Sequence, residues 1–98
     1  MLIRDPALGA AVARKLGGSA VVLMRGHGNV VVGQSIEQVV FRSIYTEINA
    51  KLQADALRLG QGEVAFLNAE EAAKAAATNN LVLSRAWELW KRQAFRPR

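Results

Sequence analysis

The longest amphipathic stretch of this 98-residue chain is the feature that most limits what it can fold into. Ser35 begins it with the spacing of a capping box, because Gln38 follows three residues later, and Gly60 ends it. Apolar residues recur at every fourth position between them: Ile36, Val40, Ile44, Ile48 and Leu52, with an adjoining stripe of Phe41, Tyr45, Ala56 and Leu59. About 24 helical residues would be roughly 36 Å long, whereas a compact domain of this size has a radius of gyration of about 13 Å. We therefore expect this helix to need more protein to lie against than the chain supplies.

Start and stop signals predict three further helices. Asp5 can cap a helix that Pro6 begins, and glycine ends that helix at position 17. Asn68 opens a second capping signature, NAEE, before an alanine-rich helix that should end near residues 79–80. A last helix is predicted from about residue 84 to residue 95, with its tryptophans on one face.

Two β-branched apolar runs predict strands. Residues 21–24 read as a strand buried on both faces, and residues 30–32 as a second strand. The glycine-rich joint RGHG between them predicts a hairpin, with Asn29 closing the turn. Residues 64–67 are a candidate for a short edge strand. Four helices with two or three strands place residues 1–98 in the α/β class, as a single domain.

Composition excludes several classes of protein. The chain has no cysteine, so disulfides and zinc–thiolate clusters are excluded. Its first ten residues carry Arg4, Asp5 and Pro6 where a signal peptide would need apolar residues, and no apolar run is long enough to cross a bilayer. We expect a soluble, cytoplasmic protein with no membrane partner.

The net charge of +5 is concentrated near the end of the chain. Residues 85–98 carry five cations and one anion, whereas the other residues carry eight cations and seven anions. A short basic tail can touch an acidic surface. Because no nucleic-acid recognition motif accompanies it, we expect no nucleic-acid partner.

The single histidine, His27, lies between two glycines in MRGHGNVVVG, residues 24 to 33. It could be a metal ligand, a general base or a residue with a purely structural role. Glycines remove side-chain bulk and let a metal or substrate approach the backbone, and imidazole is a common ligand of divalent transition metals. On spacing alone, a lone turn histidine is more often a structural or surface residue, so the residues by themselves leave these alternatives open.

The wider stretch is more specific. LMRGHGNVVVG, followed by SIEQVVFRSIYTEINAKLQADALRLG, resembles the C-terminal half of the class II aldolase/adducin family. The resemblance begins at DPALGAAVARKLG and covers nearly the whole chain. NAEEAAKAAATNN and RAWELWKR resemble a bacterial branch of that family.

The resemblance implies a three-layer α/β/α fold with a largely antiparallel sheet, and a homo-oligomer, usually a tetramer. It also implies a divalent metal, usually zinc, held by three histidines, of which the ligand in the family's HG motif falls on His27. A complete member would be a lyase acting on a small sugar-derived or hydroxy-carbonyl substrate through a metal-stabilised enediolate. Aldolase, epimerase and decarboxylase chemistries all remain open.

The family's other metal ligands, its acidic proton-transfer residue and its phosphate loops have no counterpart in this chain. The earlier ligands come from an H-x-H motif upstream of the matching residues. One histidine cannot hold a catalytic zinc, which needs three protein ligands. We therefore expect either a piece of a longer chain or a truncated product without activity; the alternative function is a non-catalytic assembly module of the adducin type.

Two side chains beside His27 have ordinary explanations as well as functional ones. Arg25 could face an anionic substrate, but a solvated strand-end arginine is the simpler interpretation. Asn29 could donate to a site, yet turn residues of this type usually satisfy their own backbone.

More distant candidates are weaker still. Tyr45 could act as an acid, but its stripe favours core or interface packing. Trp87 and Trp90 form a packing stripe, which could face a neighbouring subunit. Glu70 and Glu71 most simply stabilise the start of their helix.

Overall fold

The structure, a computed structural model, describes residues 3–97. The ends of the predicted domain, Met1, Leu2 and the last cation Arg98, lie outside the described residues. Four α-helices and one antiparallel pair of strands follow in the order α1, β1, β2, α2, α3, α4: Pro6–Leu16, Val21–Met24, Gly28–Val31, Ile36–Leu59, Ala69–Leu81 and Leu83–Ala94. The chain thus combines helices with a small antiparallel sheet.

Helix α1 is defined at both ends by the predicted residues. The Asp5 side chain accepts a hydrogen bond from the Leu8 backbone N–H at 2.8 Å, and Pro6 occupies the first turn. At the other end Gly17 adopts a φ of +52° and donates its N–H to the Ala13 carbonyl at 3.1 Å. Glycine adopts this positive φ without the steric cost that a side chain would bring, so the helix ends here.

Strands β1 and β2 form the predicted hairpin, with Val21 opposite Val31 and Met24 opposite Gly28. The second strand begins two residues earlier than predicted. β1 is not buried on both faces, which corrects the expectation from its apolar sequence. Val22 is 7% exposed, but Leu23 is 75% exposed, since no described residues cover that part of its face.

Helix α2 has the predicted bounds and the predicted cap, with Ser35 Oγ accepting from the Gln38 N–H at 3.1 Å. The capping box is only half formed. The Gln38 side chain accepts instead from the Gln34 N–H at 2.8 Å and donates to Asn80 Oδ1 at 3.2 Å. The buried Gln38 side chain therefore links the loop between β2 and α2 to the end of α3. Its two hydrogen bonds replace those that it would otherwise make to water.

The segment after α2 turns back without forming a strand. The predicted edge strand at residues 64–67 is wrong, because none of residues 3–97 pairs with it and an unpaired strand leaves its backbone groups to water. Phe66 and Leu67 are both exposed. Asn68 then caps α3 with the complete predicted box, in which its side chain and that of Glu71 each accept from the other's N–H.

Helix α4 packs against α2 through aromatic rings. The Phe41 and Trp90 ring centroids are 6.1 Å apart at 49°, a tilted arrangement favoured by the ring quadrupoles. Lys91 Nζ lies 5.6 Å from the centroid of the Trp87 ring. The tryptophan stripe predicted from the sequence thus contacts this chain's own long helix at Trp90.

The packed interior is small for the size of the chain. Val22 is the one apolar side chain of residues 3–97 that is almost fully buried. The radius of gyration is 16.1 Å, against about 13 Å for a compact domain. The accessible surface is 8218 Å², against about 5,500 Å² for a monomer of this mass. Among the described helices, none is both long enough and apolar enough to cross a membrane.

Candidate functional site

His27 lies at the tip of the hairpin, where the sequence places it. Arg25, Gly26 and His27 form the turn between the strands, and the His27 N–H donates to the Met24 carbonyl at 3.1 Å. Gly26 has a φ of +66°, a left-handed value that glycine adopts without the steric cost of a side chain. Local turn chemistry therefore fixes the backbone that presents an exposed imidazole.

The reason for the second glycine of the motif, Gly28, differs from the reason for Gly26. A Cβ at Gly28 would meet no atom of the chain within 4 Å, and Gly28 is not among the glycines with positive φ. Neither turn geometry nor packing within residues 3–97 therefore requires a glycine there. The space at Gly28, the residue after His27, is open to an approaching group, as the sequence interpretation of the HG pair expects.

The described residues do not complete a metal centre. No group of three or more histidine, cysteine, aspartate or glutamate side chains in residues 3–97 is arranged to hold a metal ion. A catalytic zinc takes three protein ligands and keeps an open position. These residues offer His27 as one candidate ligand, so the donor set of this chain does not by itself fit a catalytic metal.

The other side chains considered from the sequence are dispersed. Arg25 is exposed in the same turn, and Asn29 lies opposite Leu23 in the strand ladder. Tyr45 stacks on Phe41 with ring centroids 4.6 Å apart, in a groove between α2 and α4 of about 730 Å³ that His27 does not line. The structure thus keeps Arg25 and Asn29 near His27 and places Tyr45 in a separate region.

The two glutamates that follow Asn68 serve the start of α3, as predicted. Glu71 completes the capping box, and Glu70 pairs with Lys74 one turn later at 3.1 Å. Both carboxylates stand at the positive end of the helix dipole, where they stabilise it.

Sequence reasoning missed the polar cluster at the base of the hairpin. Arg42 Nη1 donates to the Val32 carbonyl at 2.7 Å, and Gln38 makes the two side-chain bonds described above. Gln38 and Arg42 are four residues apart and so share one face of α2. That spacing is the signal that could have found them, since it places an amide and a guanidinium side by side on one face of the helix.

Comparison with known proteins identifies the class. Residues 1–54, more than half of the chain, match the family model described as the class II aldolase and adducin N-terminal domain. The chain belongs to the class II aldolase and adducin family, as its sequence motifs predict.

A curated relative extends the match beyond residue 54. The chain is 36% identical over 110 aligned residues to decarboxylase tropJ of Talaromyces stipitatus, and the alignment covers 95% of this chain and 41% of that protein. The chain therefore spans about two fifths of the length of the curated relative it matches. No solved structure matches it.

Proposed function

We propose that this chain is part of a metal-dependent lyase of the class II aldolase type, which breaks a carbon–carbon bond in a small sugar-derived or hydroxy-carbonyl substrate. The observation that carries the proposal is the position of His27. It is exposed at a glycine-defined hairpin tip, with open space at the neighbouring Gly28, in a chain of this family. Membership of the family supports a reaction of this general class.

The similarity to a decarboxylase supports carbon–carbon cleavage in particular. Aldol cleavage and decarboxylation both break a bond next to a carbonyl group. Each leaves negative charge that the adjacent carbonyl delocalises and that a site must stabilise as it develops. One type of site therefore suits both reactions, and the proposal does not depend on which of them this protein performs.

In this proposal His27 supplies one imidazole ligand to a divalent metal, which we take to be zinc. The remaining ligands and the proton-transfer carboxylate come from protein outside these 98 residues. Residues 3–97 contain no second histidine and no ligand cluster, so we assign the chain alone no catalytic step. We accordingly expect the 98-residue protein to show no aldol cleavage by itself.

We further propose a homo-oligomer, most simply the tetramer that the family resemblance implies, with the three-layer α/β/α arrangement completed by additional protein. The accessible surface supports this proposal. It exceeds the monomer expectation by about 2,700 Å², an area of the scale that obligate interfaces bury. A cytoplasmic location is part of the same proposal.

The alternative function is a non-catalytic assembly module. The observation that favours it is the apolar surface on the helices, where Leu59 is 87% and Leu81 is 85% exposed. Large apolar side chains left in solvent are available to a partner, and a sizeable patch of them marks an interaction site. A 98-residue protein that light scattering finds to be a stable monomer would exclude this alternative.

The test of the proposed lyase starts from the nucleotide sequence upstream of the Met1 codon. An in-frame or frameshifted stretch that encodes an H-x-H motif and a glycine-rich phosphate loop would support it. The product of that longer frame should then cleave small hydroxy-carbonyl phosphates, and the His27→Ala variant should not. An intergenic region with its own ribosome-binding site would contradict the lyase proposal and favour the assembly module.

A further inference from the structure

A second concave region lies at the base of the hairpin, at the opposite end from His27. It is an open cavity of about 500 Å³, lined by residues 17–20, residues 32–34 and by Gln38, Arg42 and Asn80. The four-residue strands separate it from the tip by roughly 13 Å, at about 3.3 Å per residue. Its volume lies within the range of about 300–1,000 Å³ that small-molecule sites occupy.

The residues that line this cavity carry positive charge and no negative charge. None of its ten lining residues is aspartate or glutamate, and Arg42 is the cation among them. Arg42 is half-buried and forms no ion pair with any of residues 3–97. The one hydrogen bond that its guanidinium makes within that range goes to the neutral Val32 carbonyl, which leaves the charge uncompensated and further guanidinium N–H groups available.

Neutral donors stand beside the guanidinium. Asn80 Oδ1 accepts the hydrogen bond from Gln38, so the Asn80 amide nitrogen remains as a donor at the cavity wall. Gln38 is 8% exposed and held by Gln34 as well. It therefore fixes the position of Asn80. Ser19, whose hydroxyl can donate a hydrogen bond, also lines the cavity.

Glycines keep the cavity open. Gly17 and Gly33 are required by the fold itself, the first by its φ of +52° and the second by the Val39 side chain, which a Cβ would approach to 2.9 Å. Gly18 has neither constraint, since a Cβ there would meet no atom within 4 Å. The wall at Gly18 is thus bare backbone that an incoming ligand can approach closely.

We propose that this cavity binds a small phosphate-bearing anion. A phosphate offers several acceptor oxygens to the guanidinium, the Asn80 amide and the Ser19 hydroxyl, and charge-assisted bonds of this kind are the stronger class. The site needs neither His27 nor a metal. The phosphate-site proposal can therefore be tested, and can fail, independently of the lyase proposal.

The experiment titrates the 98-residue protein with inorganic phosphate at constant ionic strength and follows backbone amide shifts by NMR. Saturable shifts should appear in residues 17–20 and 32–34. Gly18→Asp adds a negative charge to the wall without removing any hydrogen bond, and Gly18→Asn is its neutral isostere. We expect the affinity of Gly18→Asp to fall about tenfold or more relative to Gly18→Asn, because of like-charge repulsion at short range.

A second pair of variants tests the cation itself. Arg42→Gln should weaken phosphate binding, whereas Arg58→Gln should not, since Arg58 lies on the same helix but pairs with Asp55 away from the cavity. Equal affinities of Gly18→Asp and Gly18→Asn would overturn the proposal. So would shifts centred on residues 85–96, which would indicate general attraction to the basic end of the chain.

Discussion

The base of the hairpin and the outer surfaces of the helices differ in how far the chain buries their side chains. At the base, Val22 and Gln38 are almost fully buried and Gly33 lies directly against the start of α2. Farther out, Leu59 and Leu81 project into solvent. The chain thus organises one small packed centre and leaves much of its apolar helical surface uncovered. Turns and helix caps form within the chain, whereas large apolar side chains of its helices stay exposed.

The strongest test of this contrast is Gln38→Ala. It removes the side-chain bonds to Gln34 and Asn80 and leaves the part-buried Gln34 N–H without its acceptor. We expect the free energy of unfolding to fall by about 2–3 kcal/mol, as measured by urea denaturation. Gln53→Ala, an exposed glutamine of the same helix, is the control and should have almost no effect. Equal losses in the two variants would show that the base of the hairpin is not the packed centre.

A pair of glycines sharpens the comparison within the hairpin region. Gly33→Ala brings a Cβ to 2.9 Å from Val39 Cγ2 and 3.3 Å from the Val39 nitrogen. It should cost about 1–2 kcal/mol through overpacking. Gly28→Ala meets open space and should change the unfolding free energy by less than about 0.5 kcal/mol. Thermal unfolding of both proteins checks this, and a larger loss for Gly28→Ala would contradict the structure.

The helix boundaries could be predicted from the sequence because their causes are local. Asp5, Ser35 and Asn68 each accept a bond from an N–H three residues away. The hairpin turn is equally local, so the exposure of His27 could be anticipated from its flanking glycines. Family membership followed from the ordered motifs around His27.

The parts that could not be predicted depend on residues distant in sequence. The Gln38 side chain does not complete the capping box. It donates instead to Asn80, 42 residues further along the chain. Residues 64–67 have the composition of a strand but no described partner strand to pair with. The cavity draws its wall from residues 17–20, residues 32–34, helix α2 and helix α3, and no sequence motif brings these together.

A smaller loss of stability is expected at the helix caps, because their hydrogen bonds form between neighbouring residues and need no tertiary contacts. Asn68→Ala removes the side-chain acceptor of the capping box that begins α3. The loss should be about 1 kcal/mol, measured by thermal unfolding with circular dichroism. Asn49→Ala, an exposed position inside α2, should instead be neutral or slightly stabilising because alanine is the better helix former. A loss at Asn49 as large as that at Asn68 would argue against a specific cap.

The smallest change in stability is expected on the exposed apolar surface. Leu59→Gln combined with Leu81→Gln should leave the unfolding free energy within about 0.5 kcal/mol of the original, since both side chains are already in solvent. The same variant should lower the apparent mass in light scattering if this surface mediates association. An unchanged mass would remove these two leucines from the proposed interface.

The measurement that tests the central claim most directly is a calorimetric zinc titration of three proteins. These are the 98-residue protein, the proposed longer form with upstream metal-binding histidines, and that longer form carrying His27→Ala. We predict weak binding by the first, tight binding by the second, and a loss in the third that exceeds the roughly 10- to 100-fold typical of changes around a metal's ligands. Unchanged zinc affinity in the His27→Ala protein would contradict the assignment and leave His27 as a turn residue held between two glycines.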